Sequence, residues 1–155
     1  MRKIVLVVIG FGVLAAFGAG AALAKGGGDV ASAPLLPVGK QVSGGGKIKG
    51  SQASGSCSGY GEFWRLAAAK GDRVNLAYGT ANGLPVKIVV MDPSVNDRNF
   101  NVTPAVAANL TYDSDSLAFV AKKSGRYTVV LYTSYPCQPK LAYTLTATLK
   151  PPKKK

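Results

Sequence analysis

A chain of 155 residues has room for one domain of ordinary size. Its hydrophobic content of 47% can fill a core, and its 19 glycines point to many turns. Lys and Arg number 19 against 7 Asp and Glu, and His is absent, which excludes Ser-His-Asp and Cys-His nucleophilic sets and most zinc sites.

Arg2 and Lys3 precede an apolar run, Ile4 to Phe17, and small residues then lead to Ala22-Leu23-Ala24. That order is the signature of a secretory signal peptide, so residues 1–24 are expected to be removed after Ala24. The stretch is also long enough to span a bilayer, and an uncleaved anchor is the alternative and the one expected route to a membrane. Without Arg2 and Lys3, 17 basic residues face 7 acidic ones. A mature charge of +10 favours solubility and weak adhesion to anionic surfaces.

Residues 25–46 hold Gly26-Gly27-Gly28, Pro34, Pro37 and Gly44-Gly45-Gly46. Such a composition buries little apolar surface to offset its ordering entropy, so a flexible lead-in is expected, most of all from Lys25 to Gly39. Lys47 to Ser51 suits a first edge strand. The domain proper is read as residues 47–150, and residues 151–155 as a basic tail after Pro151-Pro152.

From Tyr60 onward short strands alternate with turn signals. Glu62 to Ala68 is the first clear strand, with Trp64 beside Leu66 on one face and Phe63 beside Arg65 on the other. Alternation thus predicts one core aromatic and one partly exposed. Lys70-Gly71-Asp72 turns the chain into Arg73 to Tyr78, where Val74, Leu76 and Tyr78 oppose Arg73 and Asn75 across a strand with one wet side. Val86 to Met91 is apolar enough to be central, and Asp92-Pro93-Ser94 ends it. Weak strands are expected near Phe100 to Thr103 and Asn109 to Tyr112. Leu117 to Ala121, Arg126 to Thr133 and Leu141 to Lys150 follow, the last with Tyr143, Leu145, Ala147 and Leu149 opposite Thr144, Thr146, Thr148 and Lys150. Seven or eight strands without a helix predict an all-β, two-sheet antiparallel sandwich of jelly-roll type, with a small closed barrel as the other candidate.

Cys57 and Cys137 both lie in the mature part. Export would put them in an oxidising compartment, where a pair of thiols joins. An intramolecular bridge would close most of the domain and contribute about 4.5 kcal/mol as an upper estimate. Unlinked thiols and a bridge between chains are the alternatives.

Glu62-Phe63-Trp64-Arg65-Leu66, Lys70-Gly71-Asp72-Arg73-Val74, the strand ending at Asp92-Pro93, Ser124-Gly125-Arg126-Tyr127-Thr128-Val129 and Tyr143-Thr144-Leu145 stand in an order that resembles the bacterial pre-peptidase C-terminal domain. The resemblance spans roughly Lys47 to Lys150. It implies a jelly-roll-like sandwich of the kind appended to secreted peptidases, with Gly71 and Gly125 in tight turns of positive φ and the Tyr127 ring tucked under the second sheet. None of these 155 residues is expected to form a peptidase domain, and the Cys57 and Cys137 pair and the basic surface are not general features of that family.

The seven carboxylates are scattered, without the facing pair a glycosidase needs, so no enzymatic activity is expected. Asp92, Asp97, Asp113 and Asp115 are the carboxylates that could serve calcium, the one candidate cofactor, and the resemblance implies the same, since related collagen-binding sandwiches bind it. Each also stands where a turn would place an Asp. Tyr60, Tyr132 and Tyr135 are candidate stacking rings, and Lys153, Lys154 and Lys155 a candidate anion contact. Lys122-Lys123 and Lys150 add basic clusters, but none is interleaved with aromatics as a nucleic-acid groove requires. The expected function is a non-catalytic, secreted or periplasmic binding module that attaches to polysaccharide or another anionic envelope polymer. The alternative is an auxiliary periplasmic protein that partners another exported protein.

Overall fold

The computed structural model describes residues 26–44, 61–80, 86–95, 105–111, 115–132 and 142–153. Eight strands form two four-stranded antiparallel sheets: β1 (Gln41–Gly44), β2 (Gly61–Ala68), β3 (Arg73–Thr80), β4 (Lys87–Met91), β5 (Ala105–Asn109), β6 (Ser116–Val120), β7 (Gly125–Tyr132) and β8 (Tyr143–Lys150). One sheet runs β1-β8-β3-β6 and the other β2-β7-β4-β5. Among the described residues there is no helix. The signal segment and the expected strands at Lys47 to Ser51 and Phe100 to Thr103 lie outside the described residues.

The order follows from nested pairing. β1 pairs with β8, β2 with β7, β3 with β6 and β4 with β5, as if one long hairpin had been rolled up. β3 against β8 and β4 against β7 then close the two sheets. This is the jelly-roll arrangement. The inward rows match the alternation read from the sequence. Val74, Leu76 and Tyr78 of β3 and Tyr143, Leu145 and Ala147 of β8 face Trp64, Leu66, Ile88, Val90, Val129 and Leu131 across one core. Tyr127 lies within that core, its ring 5.5 Å from Phe119. The Tyr127 hydroxyl donates to the Lys123 carbonyl (2.9 Å) and accepts the Lys123 N–H (3.1 Å), which fixes the entry of β7 in the manner of a tyrosine corner. Gly71 and Gly125 have φ of 92° and 154°, as the turns that lead into β3 and β7 require.

Residues 26–44 correct the expectation of a flexible lead-in. Gly27 exchanges two 2.9 Å hydrogen bonds with Phe63, Arg65 N–H donates to Pro34 (2.7 Å), and Leu36 N–H donates to Arg65 (2.8 Å). The segment therefore covers the open edge of β2, satisfying backbone groups that an exposed edge strand would leave free. It also lays Val30 over the outer face of that sheet, against Phe63, Val89, Met91 and Val130. Consequently both aromatics of β2 are buried, Phe63 at 1% exposure and Trp64 at 0%, where alternation alone predicted one of them partly exposed. Composition favoured a loose chain because it counts few apolar side chains. It does not register the edge hydrogen bonds that hold the backbone in place.

At the end of the sandwich where β2 and β8 begin, a polar chain crosses the core. Trp64 Nε1 donates to the Tyr143 hydroxyl (2.6 Å), which donates to Glu62 Oε2 (2.6 Å), and the same oxygen accepts the Gly26 N–H (2.8 Å). Glu62, Trp64 and Tyr143 are exposed by 2% or less. A side chain at Gly44 would place its Cβ 2.6 Å from the Tyr143 hydroxyl, so β1 can pass only as glycine there.

Tyr143→Phe deletes the middle of this chain and leaves a buried indole N–H and a carboxylate oxygen short of a partner. The expected loss is about 2–4 kcal/mol, read from urea unfolding. Burial, and then the hydrogen bond and charge of Glu62, raise the Tyr143 pKa above its ordinary 10.0. Because the folded state holds this proton more tightly than the unfolded chain, its contribution is complete below about pH 10 and declines above it by about 1.4 kcal/mol per pH unit. Burial raises Tyr78 in the same direction, so Tyr143→Phe should lessen, not abolish, the alkaline loss of stability.

Candidate functional site

The opposite end of the sandwich gathers cations. Three turns and the start of the C-terminal tail meet there: the Ala69–Asp72 turn, the Ala121–Ser124 turn, Asp92–Ser94 after β4, and Pro151–Lys153 after β8. The two turns are bonded to each other through Gly71 N–H to the Ala121 carbonyl (2.8 Å) and Ala121 N–H to the Asp72 carbonyl (2.9 Å), and Lys70 N–H donates to Ser124 Oγ (2.9 Å). Pro152 packs over Gly71 and Pro93 over Gly125, positions where a Cβ would lie 3.3 Å and 2.7 Å from those rings. This bonded frame presents Lys70, Arg73, Lys122, Lys123, Arg126, Lys150 and Lys153, all exposed.

Asp72 and Asp92 are the acidic side chains at this pole among the described residues, and both are engaged locally. Asp72 Oδ2 accepts the Ala69 N–H (2.8 Å) and closes its own turn. Asp92 accepts the Ser94 hydroxyl (2.7 Å) and N–H (3.0 Å) and pairs with Lys123 (3.2 Å). The Ser94 bonds, with Lys123 beside them, hold the Asp92 carboxyl below its ordinary value. At this pole Lys123 is held by Asp92. Lys70, Arg73, Lys122, Arg126, Lys150 and Lys153 are left to set the potential of this surface.

Two depressions flank the pole. One, of about 430 Å³, lies on the outer face of the β8-β3-β6 sheet and is lined by Arg73, Asn75, Ala118, Val120, Thr148 and Lys150. The other, more open, of about 400 Å³, is lined by Ala67 to Ala69, Asp72, Ser124, Gly125 and Arg126 on the second sheet.

Of the residues singled out from the sequence, Lys153 stands at this pole, exposed, while Lys154 and Lys155 lie outside the described residues. Tyr132 ends β7 at the far end, partly buried against the outer cluster of Val30, Phe63 and Val130. Tyr60 and Tyr135 lie outside the described residues, as do Cys57 and Cys137. Asp97 and Asp113 do too. Asp92 follows β4, whereas Asp115 precedes β6. Among the described residues no three Asp, Glu, Cys or His side chains gather as a metal site would require.

Arg73, Asn75 and Lys150 were legible as wet-face residues but not as neighbours. Their grouping depends on the register that sets Arg73 opposite Lys150 on one side and Val120 on the other.

No protein-family model matches the chain, and no curated protein matches it. Its fold is similar to that of a periplasmic lysozyme inhibitor of g-type lysozyme from Aeromonas hydrophila, with a TM-score of 0.55 at 15% sequence identity, over 76% of this chain and 94% of that one. It is also similar to the pre-peptidase C-terminal domain of a collagenase from Bacillus anthracis, with a TM-score of 0.49 at 14% identity, over 74% of this chain and 94% of that one. At these identities the likeness is one of fold.

Proposed function

We propose that this protein is a non-catalytic, exported binding module whose basic pole attaches to anionic polymers of the cell envelope. The observation that carries the reading is the excess of exposed cations over Asp72 and Asp92 at one end of the sandwich. Hydrogen bonds between the turns hold the backbone that carries these side chains, so less ordering entropy opposes binding there than at a disordered basic tail. Lys153 extends the same surface, and Lys154 and Lys155 follow it in sequence.

A second reading has one observation behind it. The fold likeness to a periplasmic lysozyme inhibitor supports a module that partners another exported protein, in which case the pole would meet an acidic protein surface.

Export is part of both readings. It rests on the Arg2-Lys3 start, the apolar run and Ala22-Leu23-Ala24. The bridge between Cys57 and Cys137 is proposed with it. Gly44 opposite Tyr143 and Gly61 opposite Tyr132 are the paired residues nearest the two segments that carry these cysteines. Intact mass of protein recovered from the periplasm or medium should lack residues 1–24, and thiol labelling of the unfolded, unreduced protein should find no free thiol. A species retaining Met1, or two labelled thiols, would contradict this.

Binding to polygalacturonate, polyphosphate and a peptidoglycan preparation is expected at low salt, falling steeply as the Debye length shrinks below about 10 Å. Lys122→Glu with Lys150→Glu should abolish most of it, whereas Lys87→Glu, at the far end beside Tyr132, should change it little. Isothermal titration across a salt series reads both. Absence of binding to every polymer, together with capture of an acidic exported protein such as a lysozyme in a purified binding assay, would replace this reading by the second.

A further inference from the structure

The groove beside the pole has a more selective chemistry than charge attraction needs. Cross-strand register builds it from two rows on the outer face of one sheet: Lys150, Arg73 and Val120 in the first, Thr148, Asn75 and Ala118 in the second. All six side chains are exposed, and Val120 is open to 56% although its neighbours on the inward face pack into the core. The cations occupy one end. Behind them the Asn75 amide has no side-chain partner among the described residues. The Thr148 hydroxyl donates to the Asn75 carbonyl at 3.4 Å and keeps its acceptor capacity. Ala118 and Val120 form an apolar floor along β6. The volume, about 430 Å³, falls in the range of small-ligand sites, roughly 300–1,000 Å³.

We infer that this groove is a binding site for one carboxylated sugar unit of an acidic polysaccharide. The inference rests on the anionic-polymer reading above and narrows it to a class of ligand. Each part of such a unit has a counterpart. The carboxylate suits the planar Arg73 fork, which can hold both oxygens, with Lys150 as a second charge. Ring hydroxyls suit Asn75 and Thr148, which offer both donors and acceptors. The C–H face of the ring suits Ala118 and Val120, whose apolar area is otherwise left in water. A polyphosphate chain would satisfy the cations alone and leave the floor exposed. An acyl chain would cover the floor and leave Asn75 and Thr148 without matched partners, at the cost of desolvating them.

Two charge-neutral substitutions test the groove apart from the pole. Ala118→Trp fills it, on a strand surface where an aromatic residue is well accommodated, and Asn75→Ala removes the amide. The full-length protein and both variants are titrated with polygalacturonate and, separately, with polyphosphate. Polygalacturonate binding should weaken by about tenfold or more in each variant, while polyphosphate binding stays at the wild-type level and reports that the variant is folded. If both polymers bind and neither variant discriminates between them, the groove is not the site and this inference falls, while the polar-charge reading stands. If polygalacturonate does not bind the unsubstituted protein, both the inference and its application of the anionic-polymer reading to uronate polymers are overturned. Should Ala118→Trp lose polyphosphate binding as well, Asn75→Ala alone decides the outcome.

Discussion

The hydrogen-bonded chain from Trp64 through Tyr143 to Glu62 and Gly26 is the constraint on which the architecture depends. Two sheets packed face to face are held by apolar contact, which is non-directional and tolerates sliding. This chain is directional. It joins β2 in one sheet to β8 in the other and ties the N-terminal segment to both, so the sheets and the segment share one register. Its members are buried, and each buried polar atom among the described residues has a partner. Removing one member would expose the others to the full cost of an unpaired group in a dry site. A comparable link on the far flank, Asn109 Nδ2 to the Tyr78 hydroxyl at 2.7 Å, ties β5 to β3.

Stability and recognition are thereby divided between the two ends. The end with the polar chain fixes the sheets. The other end, where turns are bonded to turns and prolines sit on glycines, can display charge without depending on those charges for its shape. Cations held together repel one another, and a frame closed by backbone hydrogen bonds and apolar packing is what tolerates that repulsion. The nested pairing makes nearly every stabilising contact distant in sequence, since β1 must wait for β8 and β2 for β7. Folding should accordingly be slow for a domain of this size, which fits an N-terminal segment that covers the β2 edge and so guards it against intermolecular pairing.

Much of the fold could be read from the sequence because period-two alternation is a local signal. Val74, Leu76 and Tyr78, and the final run from Tyr143 to Lys150, were legible as half-buried strands from their own residues. The turns at Gly71 and Gly125 were legible from chemistry that few residues supply. What could not be read is set by partners distant in the chain. Phe63 is buried only because Val30 is laid over it from a segment whose composition looks unfit for order. Glu62, one of seven dispersed carboxylates, is a buried acceptor only because Tyr143 and Gly26 arrive beside it. The candidate site divides in the same way. Basic residues near Lys122 and Lys150 were visible as runs, whereas the rows that join Arg73 to Lys150 and Asn75 to Thr148 exist only in the register of β3 against β8.

The central claim is that Trp64, Tyr143 and Glu62 act as one unit linking the sheets. A double-mutant cycle on Tyr143→Phe and Glu62→Gln measures it most directly, with stabilities from urea unfolding of the two single variants and the double. The account predicts a coupling of about 1–3 kcal/mol, because once one partner is gone the second substitution loses little more. Stabilities that add to within about 0.5 kcal/mol would contradict it, and would mean that this chain of hydrogen bonds does not register the two sheets.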